Sequence, residues 1–125
     1  MVAFPPLKIH LVLTTEDVKN KHSDMQGFYS LAKENINGLP YWKQTYGDHA
    51  IWFKKSWYSG WTVGHEYSLG QDYPGIIGPD DITAWPTQIS NGYKYWDGTT
   101  WNPTAATNLM FKSCKTITVK KDRLY

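Results

Sequence analysis

Glycine and proline recur at short intervals from Gly27 to Pro103 and interrupt every segment there before a helix of ordinary length can form. That punctuation leaves short extended pieces joined by turns, so the chain is expected to be all-β. The expected fold is a small antiparallel β-sandwich or partly open barrel of about seven to nine short strands. At most one short helix fits, in the polar run 14–26, where Thr15 is a candidate cap with Glu16 and Asp17 in the first turn. A length of 125 residues suits one domain, 1–125, burying roughly two-thirds of the surface its unfolded form exposes. Hydrophobic content of 41% against 19% charged residues supplies a core without a disulfide or metal.

Within that frame several strands are individually legible. Residues 8–13 are apolar and β-prone, and 27–31 resume an extended pattern that ends at the turn Asn35-Ile36-Asn37-Gly38. Residues 40–45 and 50–54 read as a hairpin around Tyr46-Gly47-Asp48-His49, with Trp42 and Trp52 facing each other across it, a pair worth about 0.2–1 kcal/mol. In 60–67, Trp61, Val63 and His65 alternate with Thr62 and Glu66, which predicts one buried and one wet face. The stretch 68–90 is mostly irregular, with Gly75-Ile76-Ile77 as its one short strand, and its length marks it as a candidate functional loop. A second aromatic hairpin, 93–96 and 99–102, turns at Asp97-Gly98, and 108–114 and 116–120 close the chain as strands, the last an edge guarded by lysines.

The order Asn37-Gly38-Leu39-Pro40-Tyr41-Trp42, Ala50-Ile51-Trp52-Phe53, Gly60-Trp61-Thr62-Val63-Gly64 and Tyr95-Trp96 through Trp101 resembles a small Trp-rich β-module repeated in multidomain proteins of invertebrates and protists. The resemblance covers most of the chain from Gly27 to Cys114. It implies an accessory module without catalysis. Some members carry a second cysteine before a proline. Here Trp85 stands ahead of Pro86, so the resemblance implies no disulfide to Cys114.

Charge and motif content narrow the chemistry. Thirteen basic against eleven acidic residues give a net +2, and the basic residues are scattered apart from Lys115, Lys120, Lys121 and Arg123, too small an excess to draw in nucleic acid. The longest apolar stretches fall far short of the roughly 20 residues that span a bilayer, so no membrane insertion is expected. No apolar run of about seven residues lies between Met1 and His10, so the sequence as given shows no secretory signal, and the lone Cys114 leans toward a reducing compartment. Cys114 is expected to be a buried, unreactive thiol.

His10, His22, His49 and His65 stand in no recognisable nucleophile–base context, and His65 and Glu66 face opposite sides of a strand, so no catalytic residue is assigned and no enzyme is expected. Neither Cys-x-x-Cys nor His-x-x-x-His occurs, so no metal or other cofactor is assigned. Asp80 and Asp81, with Asp72, make a minor calcium candidate.

The aromatics carry the functional reading. Seven Trp, nine Tyr and four Phe, 16% of the chain, exceed what a core this size encloses, since each ring buries about 150–250 Å². Trp42, Trp52, Trp61 and Trp96 sit on strands and are expected in the core. Tyr46, Trp57, Tyr58, Tyr73 and Trp85 sit in loops, where they either contact a ligand or fold back over the sheet edges. Read as a platform, Trp57, Tyr58, Tyr73 and Trp85, with Asp80 and Asp81 bonding hydroxyls, make a non-catalytic, lectin-like or adhesive module for carbohydrate. The alternative is a structural or accessory subunit whose exposed aromatics and C-terminal strand from Lys115 meet a protein partner.

Overall fold

A computed structural model describes residues 4–14, 19, 21–55, 59–69, 75–104 and 109–113. Thr15, Cys114 and the strand expected at 116–120 lie outside them. The described strands are β1 (Lys8–Leu13), β2 (Gly27–Ile36), β3 (Leu39–Gln44), β4 (His49–Lys54), β5 (Gly60–His65), β6 (Ile76–Ile77), β7 (Lys94–Trp96), β8 (Trp101–Pro103) and β9 (Leu109–Ser113). All pair antiparallel in one sheet of order β8-β7-β6-β5-β4-β3-β2-β1-β9. The architecture is therefore a curled half-barrel, the partly open barrel of the two expected forms. A meander carries the chain from β1 to β8, and β9 returns to the free side of β1. Across the open side the rings of Tyr93, beside β7, and Phe111 of β9 meet at 4.8 Å between centroids.

Local chemistry explains the elements. In β1, Ile9, Leu11 and Leu13 are buried while Lys8, His10 and Val12 are only partly so, the period-two pattern of a strand with one face inward. The β2–β3 turn uses Asn37 and Gly38 at φ 56° and 78°, the left-handed pair that a tight hairpin needs and that Asn-Gly supplies at least cost. The expected helix reduces to a 3-10 turn, Ser23–Met25, with helical residues just before it.

The concave face encloses Ile9, Leu11, Leu13, Met25, Tyr29, Trp42, Ile51, Phe53, Trp61, Val63, Ile76, Trp85, Tyr93, Leu109 and Phe111. Trp42, Trp61 and Trp85 pack edge-on or tilted at 5.5 and 6.2 Å, with Phe53 against Trp61 at 5.2 Å. The convex face carries a second cluster of Tyr41, Ala50 and Trp52, flanked by Ala32, Ile36 and Leu69.

Three expectations change here. Trp42 pairs with Ile51, so Trp52 points to the opposite face and no Trp ladder forms. The β3–β4 connection is centred between Tyr46 and Gly47 instead of on Gly47, and a shift of one register step moves a side chain across the sheet. In β5 both faces are buried, Thr62 included, because the convex cluster covers the side expected to be wet. Its hydroxyl donates to the Trp52 carbonyl oxygen at 2.9 Å. Finally, the second aromatic hairpin pairs Trp96 with Trp101, making residues 97–100 the loop in place of a two-residue turn. Asp97 organises that loop by accepting from the Thr99 and Thr100 amides at 2.8 Å and from the Asn102 side chain at 2.8 Å. The Thr100 amide, the Asn102 amide group and the Thr99 amide hold its carboxyl down to about 2.

The indole nitrogens differ in a way that gives a stability prediction. Trp42 donates to the Pro6 carbonyl oxygen at 2.7 Å and Trp61 to that of Ala84 at 2.8 Å. Trp52 Nε1 is buried, and among the described residues no acceptor reaches it. A buried donor without a partner costs about 1–3 kcal/mol. Trp52→Phe is therefore expected to destabilise by about 1 kcal/mol less than Trp42→Phe, compared by urea unfolding. Equal losses would show that the indole N–H of Trp52 is satisfied.

Candidate functional site on the outer face of β6–β8

Alternation sets which side chains share the outer face near one sheet edge. Ile76 and Tyr95 join the inner core, so Ile77, Lys94 and Trp96 point outward, with Trp101 opposite Trp96. Ile77, Lys94 and Trp101, with Ser59, residues 78–80 and Gly92, outline a half-open cavity of about 600 Å³. Its size falls within the range of small-molecule sites. Trp101 is half-buried and pairs with Trp96, ring centroids 5.4 Å apart and planes tilted by 58°.

The backbone that walls the cavity is fixed by close approaches. Gly78 N–H donates to the Trp61 carbonyl oxygen at 2.8 Å, and a side chain at Gly78 would meet the Tyr93 ring behind it. Tyr93 is held in turn by its hydroxyl, which donates to the Pro86 carbonyl oxygen at 2.8 Å, and burial pushes that phenol well above its ordinary value. The 78–80 wall is thus tied to the core through β5 and Tyr93, a rigid setting for a binding surface.

The chemistry on offer is an indole face, a carboxylate, an ammonium and backbone amides. No imidazole lines the cavity. Among the described residues no group of three or more His, Cys, Asp or Glu side chains is placed to hold a metal ion. Asp72 lies outside the described residues.

Of the residues singled out from sequence, Asp80 lines the cavity. Asp81 does not. Its Oδ1 accepts from the Thr83 amide at 2.9 Å and from the Thr83 hydroxyl, closing a turn on itself, and those bonds hold its carboxyl below the ordinary value. Trp85 is a correction to the loop platform: it is only 6% exposed and belongs to the concave core between Trp42 and Trp61. The loop turns inward there because Ala84 caps the Trp61 indole and Gln88 bonds back to the Trp85 amide at 2.8 Å. Trp57, Tyr58 and Tyr73 lie outside the described residues.

Trp96 is the reverse correction, a strand residue expected in the core that is 37% exposed. Sequence reasoning passed over Lys94 and Trp101 as site residues. The signal was present, since Lys94 and Trp96 are two apart on one strand and therefore share a face, and Trp101 lies across the turn. Tyr46, 95% exposed, sits at the other end of the strands.

No helix among the described residues is long and apolar enough to cross a membrane. Comparison with known proteins finds no matching family model, no matching curated protein and no matching solved structure.

Proposed function

We propose that the chain is a non-catalytic, lectin-like binding module that takes a carbohydrate in the groove on the outer face of β6–β8. The observation that carries this reading is the cavity itself, in which the Trp101 indole lies among Asp80, Lys94 and backbone polar groups. A sugar presents an apolar face of C–H groups and a rim of hydroxyls. The first stacks on indole, and the second needs both donors and acceptors, which Lys94 and Asp80 supply. The opposite charges also favour a neutral or zwitterionic ligand over a strongly charged one.

The test is a glycan array followed by calorimetric titration of the best ligand. Trp101→Ala is expected to weaken binding roughly 30-fold, the loss typical of an aromatic anchor worth about 2 kcal/mol, with an unchanged circular dichroism spectrum. Asp80→Asn and Lys94→Gln should each weaken it less. No glycan binding, or binding indifferent to Trp101→Ala, overturns the reading.

A protein partner is the second reading, and one observation favours it. Phe4, Leu7 and Phe28 are exposed on and beside β1 and β2, with Phe28 stacked on His10 at 4.3 Å. Size exclusion and cross-linking from the native source separate the two.

A further inference from the structure

Three of the chain's four histidines gather at the end of the half-barrel where β4 begins and β5 ends, and they meet there around one short segment, residues 21–26. The segment lies across the barrel end and is anchored at each neighbour. Met25 enters the concave core, and its carbonyl oxygen accepts from the Tyr29 hydroxyl. His22 Nε2 donates to the Trp96 carbonyl oxygen at 2.7 Å, reaching the end of β7. The Gln44 side chain brackets the segment to β3, donating to the carbonyl oxygens of Asp24 at 3.0 Å and Gln26 at 2.9 Å. Gln26 Oε1 accepts from the Leu13 amide at 3.2 Å, closing onto β1. Gly75 lies directly beneath, where any side chain would strike Met25 and His22.

His49 is the buried group under this cover, its side chain 7% exposed. Its Nδ1 lies 3.2 Å from Gln44 Oε1, which also accepts from the His49 amide at 3.1 Å. Charged and titratable groups of the described residues surround it. Asp24 of the segment stands 3.8 Å from Nε2 and Asp48 of the β3–β4 turn 3.4 Å from Nδ1. The His65 ring of β5 lies at 5.3 Å, itself bonded through Nε2 to Asp48 at 2.9 Å, and His22 faces it from the segment. Farther out, Lys43 and Glu66 pair at 3.9 Å.

We propose that residues 21–26 form an acid-released cap, which lifts from the barrel end when the buried His49 takes up a proton, while the sheet stays folded. At neutral pH the neutral His49 spends its Nδ1–H on Gln44 and leaves Gln44 free to hold the segment. A second proton on His49 places a charge in a buried site, with its side chain only 7% exposed and bracketed by Gln44 and the segment.

Burial is the largest influence on His49 and lowers its proton affinity; His65 and His22 act in the same direction, and Asp24 and Asp48 oppose them. An imidazole that takes a proton more readily in water than under the cap draws the cap open. The sign follows from linkage: with the capped value below the open value of about 6.5, the capped state is fully favoured above about pH 6.5 and loses ground as pH falls through that value toward the lowered one.

The experiment is amide exchange at pH 7.5 and 5.0, each corrected for the intrinsic rate. Protection of the Gln26 and Leu13 amides is expected to fall roughly threefold or more at pH 5.0, while that of Ile51 and Val63 holds. In His49→Gln, which keeps a bonding side chain without a titration near neutrality, the fall should be much smaller. Unchanged protection in the native chain, an equal fall in the variant, or a parallel loss at Ile51 and Val63 overturns the proposal. Should His49→Gln fail to fold, the proton titration of the native His49 ring by NMR decides. A midpoint below 6.5 shared by the Gln26 amide supports the cap, and a midpoint at or above 6.5 rejects it.

Discussion

Trp61→Ala is expected to remove about 3–5 kcal/mol of stability, the loss of a large, fully buried ring. Trp61 is fully buried at the centre of the concave core, with Trp42, Phe53 and Trp85 packed on its ring. Truncation leaves a cavity bounded by three rigid rings that cannot collapse into it, and it orphans the Ala84 carbonyl oxygen that the indole caps. Since a domain of this size holds only about 5–15 kcal/mol in total, the variant should sit near the edge of folding at 37 °C. Urea unfolding against the native chain measures the loss, and a difference under about 1 kcal/mol would mean that the three-Trp core is not packed as described. Trp61→Phe should lose less, because a smaller ring still fills most of the space.

The prominence of Trp61 could be read from sequence, because it sits on an alternating strand with Val63 between glycines. The all-β class, the β2–β3 turn at Asn37-Gly38, the first aromatic hairpin and the two-residue strand at Ile76 and Ile77 were legible for the same reason: each depends on local propensity and punctuation. What failed depends on pairing register or on long-range cover. Trp52 moved to the other face because a loop boundary shifted by one step, and no local pattern encodes that step. Trp85 went inward because Trp61 and Trp42, distant in sequence, leave a space of its shape, whereas Trp96 came outward because Tyr95 took the inward position. A loop aromatic is therefore no safer as a ligand contact than a strand aromatic, and the candidate site instead emerged where alternation puts Lys94, Trp96 and Trp101 on one outer surface. Asp80 and Asp81 were singled out together, and the structure separates them: Asp80 lines the cavity, while Asp81 is absorbed by Thr83.

Gly60→Ala is expected to damage both the fold and the cavity. Gly60 opens β5 at φ 156°, and a methyl group there would press into the carbonyl oxygens of Gly78 and Pro79, backbone atoms that cannot swing aside like a flexible side chain. Relief requires the 78–80 wall to move away from β5, and the Gly78 amide bond to the Trp61 carbonyl stretches with it. A loss of about 2 kcal/mol or more follows from a substitution whose backbone is incompatible with a side chain. Because Gly78, Pro79 and Asp80 line the cavity, the same displacement should weaken ligand binding by at least about tenfold in the protein that remains folded, a loss of about 1.4 kcal/mol. Gly98→Ala is the control. Gly98 also has a positive φ, 102°, but its Cβ position meets nothing within 4 Å, so only backbone strain of about 1 kcal/mol is expected, with binding unchanged. Thermal unfolding and titration of both variants with the same glycan separate the cases: equal losses at the two glycines would show that the contact between β5 and the 78–80 wall does not position the site.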